Sequence, residues 1–281
     1  MKKRFITASE ISAFAKHLWN EEREAGTIEK YLRTVRTFAA WLEGRSATKE
    51  AAANWKESLR AAGYQPGTVN SMLSALNKFF TLMGWSDCRV RYLNVQRRLF
   101  RSTDRELTKP EYLQLLETAQ NLGKTRLALL METLCATGIR VSEVKYITVE
   151  AVRAGRADIA LKGKIRTILI PGKLCRKLQK YAKKQKTVSG EVFLTRNGRG
   201  LTRRQIWAEM KAICEKAGVA PSKVFPHNLR HLFARTFYHA CRDVVKLADI
   251  LGHSNIETTR IYLLSTGAEH IQQVEQLGLI S

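Results

Sequence analysis

Four stretches of the chain bring arginine, lysine, histidine and tyrosine into close sequence company. They are Thr137-Gly138-Ile139-Arg140-Val141-Ser142-Glu143, the lysines of Lys162-Gly163-Lys164, His227-Asn228-Leu229-Arg230-His231, and Leu251-Gly252-His253 followed by Tyr262. These residue types suit chemistry at phosphorus. Two guanidiniums can clamp the non-bridging oxygens of a phosphodiester in bidentate fashion. They can also neutralise charge that grows on a pentacoordinate phosphorus, commonly the largest catalytic contribution. A tyrosine can attack phosphorus and hold one strand end covalently. A lysine or histidine can protonate the leaving 5′ oxygen. No carboxylate cluster of the kind that holds Mg²⁺ and no Walker-type glycine loop occurs, so no metal and no nucleotide cofactor is expected.

Each residue also has a plain structural use. Arg140 comes two residues after Gly138, where a surface arginine is common, and His227 follows Phe225-Pro226 at a helix start. His253 after Leu-Gly could close a helix end, and Tyr262 within TTRIYLL could be a core aromatic. The weight lies in the combination and in the charge around it. Lys+Arg number 48 and Asp+Glu 25, a net +23 over 281 residues. A surplus of that size attracts a polyanion from a distance. Between Asp158 and Glu191 no acidic residue occurs, while Lys162, Lys164, Arg166, Lys173, Arg176, Lys177, Lys180, Lys183, Lys184 and Lys186 crowd in. Lys164, Arg166, Lys183 and Lys184 are the candidates for contact with a nucleic-acid backbone. Neither a membrane-spanning nor a secreted protein is expected: no apolar run nears the ~20 residues of a span, and MKKRFITASE has no signal-peptide core. The five cysteines are scattered without a Cys-x-x-Cys pair, which excludes most zinc ribbons and any disulfide framework. A soluble, reduced, cytoplasmic protein is expected.

These residues need a scaffold. Ile28, Tyr31, Leu32, Val35, Phe38, Ala39 and Leu42 form one helical stripe, and Val69, Met72, Leu73, Leu76, Phe79, Phe80 and Met83 form another. The first should open at Thr27 and the second after Pro66-Gly67. Thr7 with Glu10 has capping-box form, and a fourth helix over 48–62 ends at Gly63, completing a helical bundle over 1–85. The arginine-rich stretch 86–106 lacks a stripe and reads as an exposed basic linker. A second domain, 107–281, starts at the capping box Thr108 to Glu111 and continues with a helix over 124–136. Residues 157–170 alternate and read as a β-hairpin with a basic tip. Helices are expected over 173–186, 202–217, 227–240, 243–251 and 267–277. The fold class is mainly α with one small β-hairpin.

Read together, these boxes resemble the tyrosine recombinase (phage integrase) family. ATGIRVSE echoes the family's first arginine box, with Arg140 in the arginine position and Glu143 in the supporting acidic position. LKGKIRTILIP echoes the hairpin lysine. Lys162 is preferred because Gly163 follows it, and Lys164 is the alternative, since the hairpin is about one residue shorter than the commoner form. His227 and Arg230 stand in the His-x-x-Arg box, with His231 next to them. His253, 23 residues past Arg230, takes the third basic position, and Tyr262, nine further on, takes the nucleophile position. The resemblance covers about 105–281, and the first hundred residues look like the family's SAM-like core-binding domain. With no room before that domain for an arm-site module, the chain is expected to sit near the compact Xer-type members.

The resemblance implies site-specific DNA strand exchange through a 3′-phosphotyrosyl intermediate, without metal or ATP. It implies duplex DNA with inverted-repeat core sites as the partner. It further implies a homotetramer on two duplexes from protomers that are monomeric when free, with the segment 266–281 passed to a neighbour, and it admits an accessory protein. Two rivals share parts of the pattern: a type IB topoisomerase, and a DNA-binding protein that kept the fold without the chemistry.

Overall fold

The computed structural model describes residues 4–95, 105–161, 164–262, 271 and 274–278. The chain divides into two units, Met1–Arg97 and Arg98–Ser281. In the first unit four helices form: α1 (Ala8–Asn20), α2 (Ala25–Leu42), α3 (Lys49–Ala61) and α4 (Pro66–Leu82). The Thr7–Glu10 capping box opens α1, with the Thr7 N–H donating to Glu10 Oε2 at 2.9 Å. Thr48 caps α3, its hydroxyl accepting from the Ala51 N–H at 3.1 Å. Helix α2 starts two residues before the expected Thr27, because the Glu24 carbonyl accepts from Thr27 and Ile28 at 2.8 and 3.0 Å and no side-chain cap is used. The two apolar stripes meet in a core of Phe14, Phe38, Trp55, Leu73, Phe79 and Phe80. Burying each such side chain stabilises the fold by roughly 1.5–3 kcal/mol.

The expected linker 86–106 is narrower than its composition suggests. Cys88 and Val90 are buried in the first core. Asn77 exchanges two hydrogen bonds with the Val90 backbone at 2.9 and 3.1 Å, and Asn70 does the same with Leu93 at 2.9 and 2.7 Å. Asparagines seven residues apart share one helix face, so α4 fastens the chain that follows it. At the far end Leu107 is fully buried in the second core, and the Arg105 carbonyl accepts from Asn228 at 2.6 Å.

The second unit begins with α5 (Lys109–Asn121) and α6 (Thr125–Thr137), then a 3₁₀ turn, Val141–Tyr146, and α7 (Val149–Ala154). Strands β1 (Arg156–Leu161) and β2 (Lys164–Leu169) pair antiparallel, with Arg156 opposite Leu169 and Ile159 opposite Arg166. Then come α8 (Gly172–Lys184), α9 (Arg203–Lys211), α10 (Pro226–Cys241), α11 (Val244–Leu251) and α12 (Glu257–Arg260). Helix α9 is shorter than the expected 202–217, although Ile213 and Cys214 beyond its end are still buried. Helix α7 went unforeseen, since six residues are too few to display a period. The expected last helix, 267–277, lies largely outside the described residues. Among those described, no helix is long and apolar enough to cross a membrane.

Candidate active site

Helix α6 closes at Gly138, which adopts a left-handed φ of 62°. A Cβ there would run into the Phe233 ring, so the turn needs glycine for both conformation and space. The turn delivers Arg140 to the start of the 3₁₀ segment, where the Arg140 N–H donates to Glu143 Oε2 at 2.8 Å and its Nη1 to Oε1 at 2.9 Å. Glu143 is 2 % exposed and receives a third bond, from Arg166 Nη1, at 2.7 Å. Burial pushes this carboxyl up, but the Arg140 N–H and the two guanidiniums more than offset it and hold Glu143 below the usual carboxylate range. The Arg140 side chain stays about 43 % exposed. Its Nη2 also donates to the Gly252 carbonyl at 3.4 Å.

Arg166 differs from the expectation of a backbone-binding cation. Its side chain is 12 % exposed, and Nε and Nη2 both donate to the Ile250 carbonyl, at 3.2 and 2.7 Å. It braces β2 against Glu143 on one side and the end of α11 on the other. The left-handed Gly252 fits this brace, because a Cβ there would strike the Arg166 stem. A signal was present in the sequence. Residues 166, 168 and 170 share one strand face, and Ile168 and Ile170 are buried while Leu169 is 70 % exposed.

Arg230, from α10, is 1 % exposed. Its Nη1 donates to the Gly138 carbonyl at 2.6 Å, and its Nη2 to the Leu251 carbonyl at 2.8 Å. Nη2 also lies 2.8 Å from His253 Nε2. Burial, with Arg140 second, brings the guanidinium down to about 10, so it remains charged at neutral pH. His253 is aimed by the closure of α11: its N–H donates to the Ala248 carbonyl at 3.0 Å, while its Nδ1 sits 2.8 Å from Thr259 Oγ1. Burial first, then Arg230 and Arg140, lower the ring to about 4.

Tyr262 is 4 % exposed and packs with Ala234, Leu247 and Leu251 in a small core of their own. Its ring meets His231 edge-on at 4.7 Å and stacks on His253 at 6.0 Å. His231 in turn meets the exposed His227 edge-on at 4.5 Å. The buried Nε2 of His231 has no hydrogen-bond partner among the described residues, and burial, with His227 second, lowers the ring to about 3. His227 is lowered too, by partial burial and by Arg230 and Arg140.

Arg140, Glu143, His227, Arg230, His231, His253 and Tyr262 therefore fall into one connected cluster, to which the structure adds Arg166 and Thr259. Lys162 lies outside the described residues, and Lys164 opens β2. Lys183 and Lys184 lie exposed at the end of α8. Lys184 borders a separate cleft with Lys124, Arg126 and Arg196.

Comparison with known proteins points the same way. The model of the phage integrase family matches residues 105–269, and that of the phage integrase N-terminal SAM-like domain matches residues 11–85. Tyrosine recombinase XerA of Pyrococcus furiosus is 29 % identical, over 100 % of this chain and 98 % of its own. Tyrosine recombinase XerD of Xanthomonas campestris is 30 % identical, over 93 % of this chain and 89 % of its own. A crystal structure of a lambda integrase tetramer bound to a Holliday junction superposes with a TM-score of 0.74 at 18 % identity, covering 90 % of this chain and 76 % of that one. With more than half of its length matched by the catalytic model and the rest of the fold in agreement, the chain belongs to the phage integrase family and is a site-specific tyrosine recombinase.

Proposed function

We propose that this recombinase cuts each strand of duplex DNA by attack of the Tyr262 hydroxyl on the scissile phosphorus. A bond forms between the phenolic oxygen and phosphorus as the bond to the 5′ oxygen breaks, leaving a 3′-phosphotyrosyl link. His227 takes the tyrosine proton, and Lys162, with Lys164 as the alternative, gives a proton to the leaving 5′ oxygen. A 5′ hydroxyl from another strand then reverses the step. Arg140 and Arg230 hold the non-bridging oxygens, and His253 supplies a further N–H. Glu143 and Arg166 act as positioning residues for Arg140, and His231 supports the Tyr262 ring. The observation that carries this reading is the Tyr262 ring set against His231 at 4.7 Å and His253 at 6.0 Å, with His253 2.8 Å from Arg230.

Strand exchange joins two duplexes, so four protomers are required, and a tetramer is the state of the lambda integrase structure. The exposure of Ile271, Val274 and Leu277 supports a C-terminal segment, 266–281, that docks on a neighbour. A charge of +23 opposes association of free protomers until DNA offsets it. Sites built of inverted core repeats suit such an assembly, and the enzyme works where the DNA is, in the nucleoid of the cytoplasm, with or without an accessory protein.

A nicked duplex that loses its 5′ hydroxyl strand on cleavage tests the chemistry. The wild-type protein should accumulate a covalent DNA adduct, and Tyr262→Phe should bind the same DNA yet form none. An adduct with the Phe variant would move the nucleophile elsewhere. Recombinant product from two intact sites separates a recombinase from an enzyme that only relaxes supercoils.

A further inference from the structure

Two hydrogen bonds fix the protonation state of His253. A guanidinium donates and cannot accept, so at 2.8 Å from Arg230 Nη2 the His253 Nε2 must be the acceptor. A neutral imidazole that accepts at Nε2 carries its proton on Nδ1. The contact of 2.8 Å to Thr259 is then Nδ1–H donating to Oγ1. Thr259 is fully buried, and its own N–H is tied to the Ile256 carbonyl at 2.8 Å. Its hydroxyl is therefore held at the back of the ring. In this arrangement Nε2 has a lone pair where donation to a phosphate oxygen would need a proton.

We propose that Thr259 is a positioning residue: its hydroxyl partners the ring nitrogen of His253 that faces away from Arg230, and allows the proton to change places on the ring when DNA arrives. The proposal rests on the reading that His253 reaches the phosphate. A phosphodiester that takes up N–H groups of Arg230 releases Nε2 from its acceptor role. Nδ1 then gives its proton to solvent, Nε2 takes one from solvent, and the Thr259 hydroxyl rotates to donate to the bare Nδ1. No net proton is gained. A hydroxyl serves both states because it accepts in one and donates in the other, whereas a methyl group serves neither. The groups facing the ring agree with a neutral resting state: Arg230 and His227 from α10, Arg140 from the 3₁₀ turn, and Arg166 from β2 all disfavour a further positive charge, and Tyr262 stacks on one face.

Thr259→Val keeps the shape and removes the hydroxyl, and Thr259→Ser restores it. Single-turnover cleavage of the nicked duplex should slow about 10–100-fold in the Val variant, by analogy with loss of the partner that orients a metal-bound histidine. DNA affinity should be unchanged, and Ser should recover most of the rate. Nitrogen-15 spectra should show His253 protonated at Nδ1 and bare at Nε2 in the free wild-type protein, where Arg230 fixes Nε2 as the acceptor, and protonated at Nε2 in the DNA-bound wild type, whereas the DNA-bound Val variant should show a mixture. Wild-type cleavage by the Val variant, failure of Ser to rescue, or a free-state spectrum with the proton on Nε2 would each overturn the proposal. The spectrum of the wild-type protein decides even if the Val variant folds poorly. Should His253→Ala cleave at the wild-type rate, the fault would lie in the reading of His253 itself; a His253-dependent rate indifferent to Thr259 would sink only the role of Thr259.

Discussion

The arginines and the tyrosine of this site are held in different ways. Ile139, Val144 and Leu229, which flank Arg140, Glu143 and Arg230, belong to the large core of the second unit. The guanidiniums are further tied to carbonyls of Gly138, Ile250 and Leu251 and to the buried Glu143. Tyr262 belongs to a separate cluster whose other buried members are Ala234, Leu247 and Leu251. Stabilising charge at phosphorus needs donors that are already in place before reaction. A nucleophile that must reach the phosphorus of a bound duplex gains from a segment that opens locally at low cost, and few buried contacts provide this. On the proposed mechanism the fold would thus set the arginine clamp in the large core and the attacking tyrosine on a smaller support.

Substitutions in the clamp should therefore cost both rate and stability, and those at the nucleophile only rate. Arg140→Lys keeps the charge but loses the planar fork, and should lower single-turnover cleavage by ~10²–10³, nearly as much as Arg140→Ala. A Lys variant of near wild-type rate would make Arg140 a surface charge. Arg230→Ala strips two carbonyls and His253 of their donor and leaves a cavity. Its denaturant unfolding free energy should fall by about 3–5 kcal/mol. Tyr262→Phe should stay within about 1 kcal/mol of wild type, since its apolar contacts survive. Equal losses in the two variants would erase the distinction between the supports.

Acid should sharpen it. His231 is lowered from 6.5 to about 3 and His253 from 6.5 to about 4, in both cases by burial first. The unfolded chain takes up these protons near 6.5 and the folded chain does not, so their stabilising contribution is complete above that pH. It falls as pH drops through 6.5, down to about 4 for His253 and about 3 for His231. Thermal melts between pH 7.5 and 4.5 should show a declining midpoint, with a gentler slope in His231→Phe. An unchanged slope in that variant would mean that the ring titrates as a solvent-exposed histidine does.

Much of this was legible in the residues. Thr7–Glu10 and Thr108–Glu111 marked helix starts because both halves of the capping bond are local. The boxes of Arg140, of His227 and Arg230, of His253 and of Tyr262 come together because each is a short run whose spacing survives folding, while the hairpin lysine, Lys162, lies outside the described residues. What escaped depends on contacts between distant segments. Asn70 and Asn77 bind chain that composition alone assigns to a linker, 23 and 13 residues away in sequence respectively. Arg166 looked like one more cation in a basic run until β2 turned it inward onto Glu143 and the Ile250 carbonyl. Thr259 lies in a four-residue helix and had no signal beyond its place between His253 and Tyr262.

Amide hydrogen exchange on the free protein tests the contrast between the two supports most directly. The amides of Leu229, Arg230 and Val144 should exchange only through global unfolding, with a denaturant dependence equal to that of the whole second unit. The amides of Thr259, Arg260 and Tyr262, which donate to Ile256 and Thr259 carbonyls at 2.8–3.0 Å, should exchange faster through a local opening that depends weakly on denaturant. Protection of Tyr262 equal to that of Arg230, with the same denaturant slope, would contradict a stiff clamp with a softly held nucleophile.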